Sequence, residues 1–151
     1  MKSGFFAGSE TTAVFVMAFA LPVFLALVFF IFPDLNIVGQ EKLQIVLVGY
    51  CVALLSFFAG TRFGALLNGN EAQTGWIVPF ALGPVLAISI LFMPFSLALA
   101  VLIAGFGGHG AWDSWAAFQG KLPKDYSTRR ILLTATICLM LIAILIVNGV
   151  Q

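Results

Sequence analysis

Three side chains in this sequence combine a chemically useful group with an apolar setting: Arg62, His109 and Asp113. Arg62 stands in the run Ser56-Phe57-Phe58-Ala59-Gly60-Thr61-Arg62-Phe63-Gly64. A charge at the centre of a membrane helix costs about 2.5–3.5 kcal/mol on insertion scales, so each such residue needs a physical reason. Two reasons compete for Arg62. Its long stem can snorkel to the interface, or its guanidinium can pair with a carboxylate. Asp113 is expected at a similar depth on the same side of the membrane, which makes Arg62–Asp113 one candidate pair. Arg129 and Arg130, at the start of the last apolar run, are the competing partners for Asp113.

His109 precedes Asp113 by four residues, so the two share one helix face. That spacing would suit half of a metal site or a proton relay. One His and one Asp are too few ligands for a metal, and a histidine hydrogen-bonded inside a helix bundle is the simpler expectation. No GxxxxGK[ST], GxSxG or HExxH pattern is present. No catalytic, cofactor-binding or metal-ligating residue is therefore assigned, no cofactor is expected, and the chain is not expected to be an enzyme. Cys51 and Cys138 lie inside apolar runs without a CxxC motif, which argues against a disulfide framework.

The elements that must position these residues follow from composition. The 151 residues are 62% hydrophobic and 9% charged, with a mean hydropathy of +1.11. Soluble domains carry about 25% charged residues, so lipid has to be the solvent for most of this chain. The net charge of +1 implies no nucleic-acid partner. A transmembrane helix needs about 20 mostly apolar residues. Runs of that kind cover 13–32, 43–67, 76–93, 96–118 and 130–147. The expected fold is all-α, a polytopic bundle of about five transmembrane helices forming a single domain.

Punctuation supports these boundaries. Pro33 closes the first run, Asn68-Gly69-Asn70 the second, and Gly120 with Pro123 the fourth. Ser96 is a candidate N-cap for the fourth helix, and Ser127 or Thr128 for the fifth. Pro22, Pro79 and Pro84 lie inside spans, where kinks are expected. The first run is read as an uncleaved helix, not a signal peptide, because many apolar residues follow Ala18-Phe19-Ala20. Gly60 and Gly64 on the second run, and Gly105 and Gly108 on the fourth, predict close helix packing there. With five spans, Lys2, Lys121, Lys124, Arg129 and Arg130 share one side, and only Lys42 stands on the other. The positive-inside rule then places the N-terminus in the cytoplasm and the C-terminus outside. Trp112, Trp115, Tyr126 and Trp76 fit an aromatic belt on the inner side.

Several stretches resemble the small membrane proteins of the DUF3429 family, the transmembrane protein 69-like proteins. Tyr50 to Gly64 is similar to the family's Tyr-Gly, Leu-Ser-Phe and Gly-x-Arg-Trp-Gly pattern, with Cys51 in place of the Gly and Phe63 in place of the Trp. Gly75-Trp76 with Pro79 is a looser match to Gly-Trp-x-x-x-Pro. Asp113, Leu122-Pro123-Lys124-Asp125-Tyr126 and Arg130-Ile131-Leu132-Leu133-Thr134 resemble the family's Asp, Leu-Pro-x-Trp-Tyr and Arg-x-x-Leu-Thr elements. These matches span residues 50 to 134. The resemblance implies a bacterial inner membrane or, alternatively, a mitochondrial inner membrane, and no particular activity.

Three functional readings follow. The first is an accessory or assembly component of a larger membrane complex, with the bilayer and that complex, or a homo-oligomer, as partners. The second is a small transporter or channel with Arg62, His109 and Asp113 in a polar site at the cytoplasmic ends of spans two and four. The third is an enzyme acting on a lipid or quinone, with the same residues holding a headgroup.

Overall fold

In lipid every backbone N–H and C=O must be satisfied within the protein, so long apolar runs become helices. The computed structural model describes residues 5–67, 87–120 and 124–150, with side-chain environments for 12–60, 87–120 and 128–150. The described residues are all helix and turn, without a strand. Four long helices run through Phe5–Ile31 (α1), Gln40–Leu67 (α2), Phe95–Phe118 (α3) and Lys124–Val150 (α4), with a 3-10 turn at Pro33–Leu35. Each contains a segment long and apolar enough to cross a membrane: Thr12–Ile31, Gln40–Gly60, Phe95–Phe118 and Thr128–Val150. Of the expected span 76–93, only 87–93 lies within the described residues, with 87–90 helical. Trp76, Pro79 and Pro84 lie outside them.

The capping expectations need correction. The N-cap of α3 is Pro94, with no side-chain cap, and Ser96 lies in the first turn. Its hydroxyl instead receives a hydrogen bond from Asn148 Nδ2 at 3.4 Å. Helix α4 begins at Lys124, so Ser127 and Thr128 are inside it rather than capping it. Gly120 adopts a positive φ of 73°, the left-handed conformation that glycine accepts without strain. It lets α3 end abruptly. In α1 the helix continues through Pro22. Proline removes the N–H that would bond the carbonyl of Ala18, and Tyr50 Oη donates to the adjacent carbonyl, that of Phe19, at 2.8 Å.

Each helix turns a narrow stripe inward. The stripe on α4 runs through Arg130, Leu133, Thr134, Ile137, Leu141 and Ile144; that on α3 runs through Leu99, Leu102, Phe106, Gly110 and Asp113. Steps of three and four residues keep these side chains on one face. Helix α4 packs against α3 and α1, and α2 packs against α3 and α1.

Contacts along the bundle give its topology. At one end Phe30, near the close of α1, stacks on Phe95, which opens α3. At the same end Asn148, near the close of α4, receives a hydrogen bond from Gln44, near the start of α2, at 3.5 Å. Further along, Phe58 of α2 meets Phe106 of α3. Helices α2 and α3 thus run parallel, while α1 and α4 run against them. The end of α2 and the start of α3 lie at opposite ends of the bundle, as do the start of α1 and the end of α4.

With the start of α1 at one end of the bundle and the end of α4 at the other, a membrane around the bundle has one of them on each face. Tags at the two termini should accordingly be protected from protease on opposite faces of sealed membranes. Protection of both from the same face would refute this path.

Candidate functional site

An ion pair joins the end of α3 to the start of α4. Asp113 sits seven residues after Phe106 on the inward stripe of α3, and Arg130 sits seven before Ile137 on that of α4. Because the loop is short, the end of α3 and the start of α4 face each other. Arg130 Nε lies 3.2 Å from Asp113 Oδ2, with the side chains 3% and 1% exposed. Burial of this degree removes the solvent screening that makes most surface ion pairs nearly worthless. It also makes each charge costly to strand: loss of one partner from a buried pair costs about 3–5 kcal/mol.

A third helix closes the site. The Arg130 guanidinium carbon lies 3.4 Å from the centroid of the Phe58 ring on α2. A cation over an aromatic face contributes about 0.5–1 kcal/mol when exposed and about 2 or more when desolvated. Phe58 belongs to an aromatic group with Phe19 of α1 at 6.4 Å, Phe57 at 5.8 Å and Phe106 of α3 at 6.3 Å. The ring that covers the guanidinium is thus itself packed against rings from α1 and α3.

Asp113 thus has Arg130 as a partner, one of the two alternatives to Arg62 that the sequence offers. Arg62 falls one turn beyond Phe58 on α2, and its side chain lies outside the described residues. His109 stands one turn before Asp113, half-buried, with Nδ1 shielded from solvent. Trp112 and Trp115 pair at 5.1 Å beside the site, consistent with an interfacial belt at this end. Among the described residues no group of three or more His, Cys, Asp or Glu side chains could hold a metal.

The glycines divide. A methyl group at Gly105 would meet Leu55 Cδ2 of α2 at 3.0 Å, and one at Gly110 would meet Thr134 Cγ2 of α4 at 3.0 Å. Gly60 and Gly108, expected as packing residues, are exposed and have no neighbour within 4 Å in that direction among the described residues. They face outward because the inward stripe passes through Phe58 on α2 and through Phe106 and Gly110 on α3. Gly64 lies in α2 with its surroundings outside the described residues.

Sequence reasoning placed Gly110 in the glycine-rich end of α3, and missed Phe58, Thr134 and the Asn148 cluster as site residues. Phe58 is one of 16 phenylalanines, and nothing in its spacing sets it apart. Thr134 carried a signal: it follows Arg130 by four residues, so a buried Arg130 draws Thr134 inward as well. Both cysteines are free; Cys51 is buried, and Cys138 Sγ contacts the Ile103 carbonyl at 3.8 Å.

The family model described as "Protein of unknown function (DUF3429)" matches residues 9–146, most of the chain. No curated protein and no solved structure matches it.

Asp113→Ala and Arg130→Ala should each lower stability in detergent by about 3–5 kcal/mol, and the double variant should lose far less than the sum. Arg62→Ala should add to Asp113→Ala without coupling; a strong coupling term would reassign the carboxylate to Arg62. Among the glycines, Gly110→Ala should cost about 1–3 kcal/mol through overpacking against the stiff Thr134. Gly105→Ala should cost less, because the Leu55 terminus can rotate away, and Gly108→Ala should leave the melting temperature unchanged.

Proposed function

The chain belongs to the DUF3429 family, and we propose that it is a multi-pass accessory or assembly component of an inner-membrane complex. The observation that carries this reading is how the membrane-embedded charges are used. Asp113 and Arg130 are turned toward each other, buried, and roofed by Phe58. A transporter site or headgroup site needs charges available to a substrate; a scaffold needs them engaged in holding helices together. The outward faces support the same reading. They are overwhelmingly apolar, with Met17, Leu21, Phe24, Val46 and Leu139 directed away from the core, so they suit lipid or the membrane face of another protein.

Five crossings and an N-terminus in the cytoplasm complete the reading. The parallel α2 and α3 support an odd number of crossings, and the basic residues support the orientation. Lys124 and Arg129, in the first turns of α4, belong to the end bearing the ion pair, and Lys42, at the start of α2, to the other. The positive-inside rule makes the first of these ends cytoplasmic. Arg130 counts less toward this asymmetry because Asp113 neutralises it, but the imbalance survives without it.

The test is purification of the C-terminally tagged protein in mild detergent with quantitative mass spectrometry. A stoichiometric partner is expected, and its complex should fail to assemble when the tagged protein carries Arg130→Ala. A solitary species of defined size that shows flux in reconstituted vesicles would overturn the accessory reading in favour of a carrier.

A further inference from the structure

We infer that the loop between α1 and α2, residues 32–39, is a membrane-inserting element that rests its apolar side chains in the lipid at the end of the bundle opposite the ion pair. The inference depends on the chain being embedded in a bilayer, and deepens that reading by naming a second kind of lipid contact.

Depth comes first. Ser96 and Asp113 are 17 positions apart on α3, about 26 Å at 1.5 Å per residue. The hydrocarbon core of a bilayer is about 30 Å thick. The ion pair and the Ser96–Asn148–Gln44 cluster therefore sit near its two boundaries. Phe30 is level with Phe95, so residues 32–39 lie just beyond the far boundary, within the interfacial zone of about 5–8 Å per side.

Asp34 is the one charged residue of the loop and is exposed, at a level where headgroups can solvate it; a loop facing water should be polar throughout. Here Phe32, Leu35, Ile37 and Val38 are all exposed, Ile37 at 94%. Phe92, in the turn before α3 at the same end, is 85% exposed. These side chains continue the lipid-facing surface of α1, where Phe24, Leu25 and Ile31 are exposed.

The backbone is equally suited to a region poor in water. Phe32 N–H donates to the Val28 carbonyl, Leu35 N–H to Phe32, and Asn36 N–H to Pro33. Pro33 has no N–H to satisfy. The side chain of Asn36 turns back to accept from both Val38 N–H and Gly39 N–H at 3.1 Å. These bonds cover most of the loop's amides, and each one lowers the cost of leaving water, since an unbonded amide is what makes insertion costly. Gly39, at a φ of 87°, then turns the chain into α2. Asn36 thus ties the turn while its neighbour Ile37 points outward.

The experiment uses the full chain reconstituted in phosphatidylcholine vesicles, with Ile37→Cys labelled by an environment-sensitive fluorophore. Ile37 makes so few contacts that the fold should tolerate the change. Leu25→Cys, mid-helix and outward on α1, is the control, and the labelled unsubstituted chain gives the background from Cys51 and Cys138. Acyl chains brominated near the glycerol should quench the probe at 37, while those brominated near the methyl end should quench the probe at 25. Iodide should quench neither. Iodide quenching at 37 with bromine quenching retained at 25 would overturn the loop inference alone. A probe at 37 shielded from both quenchers would replace lipid with a protein contact and also overturn it. Loss of bromine quenching at 25 would remove the membrane reading beneath it.

Discussion

The cost of an isolated charge in lipid is the constraint on which this bundle depends. Asp113 and Arg130 are each expensive in hydrocarbon and tolerable together. Their meeting at 3.2 Å therefore fixes more than one bond. It sets which face of α3 and which face of α4 turn inward, and it sets the register between them. Once Arg130 faces inward, Thr134, Ile137, Leu141 and Ile144 follow by helical periodicity, and Phe106, Leu102 and Leu99 follow Asp113 in the same way. The ring of Phe58 over the guanidinium extends the constraint to α2. Through Phe19 it reaches α1.

The far end of the bundle uses the same logic with less force. Asn148, Ser96 and Gln44 join α4, α3 and α2 through neutral hydrogen bonds of 3.4–3.5 Å, at the long end of the useful range. A single neutral bond contributes about 0.5–1.5 kcal/mol, well below a buried charged pair. The end bearing the ion pair is therefore the anchored one, and the opposite end is held mainly by apolar and aromatic packing such as Phe30 on Phe95. Between the two polar levels lies a slab in which helix contacts are almost wholly apolar, with Tyr50 on the Phe19 carbonyl the main polar tie between α1 and α2.

The helical class and the positions of four apolar runs were legible in the sequence, since hydropathy over a span length reports directly on lipid solvation. Which side of each helix faces inward was not. In a soluble bundle polar residues mark the outside, but here both sides are apolar, so the phase of α1 and α2 had no marker. Gly60 and Gly108 illustrate the consequence. Small residues at helical spacing are compatible with an interface or with lipid, and only the placement of Phe58 and Phe106 decides between them. Asp113 was legible as a residue needing a partner. That Arg130 is such a partner required knowing that the inward stripes of α3 and α4 meet at this level, which sequence spacing alone leaves open. The stretches through which the chain resembles its family contain Tyr50, Phe58, Asp113, Arg130 and Thr134, all residues that make contacts between helices.

This explains why a protein with so few polar groups would keep a buried ion pair that an apolar pair of equal volume could outdo in stability. Apolar helices in lipid gain nothing from avoiding water, so packing alone distinguishes weakly among alternative pairings and rotations. A charge pair distinguishes them sharply, because every arrangement that separates Asp113 from Arg130 costs both charges their buried partner. The aromatic roof adds a second criterion, since only an arrangement that brings α2 beside the α3–α4 hairpin covers the guanidinium. The pair thus contributes specificity more than net stability. A membrane component whose described outward faces are largely apolar needs that specificity, because the shape of those faces is what its neighbours in the membrane can read.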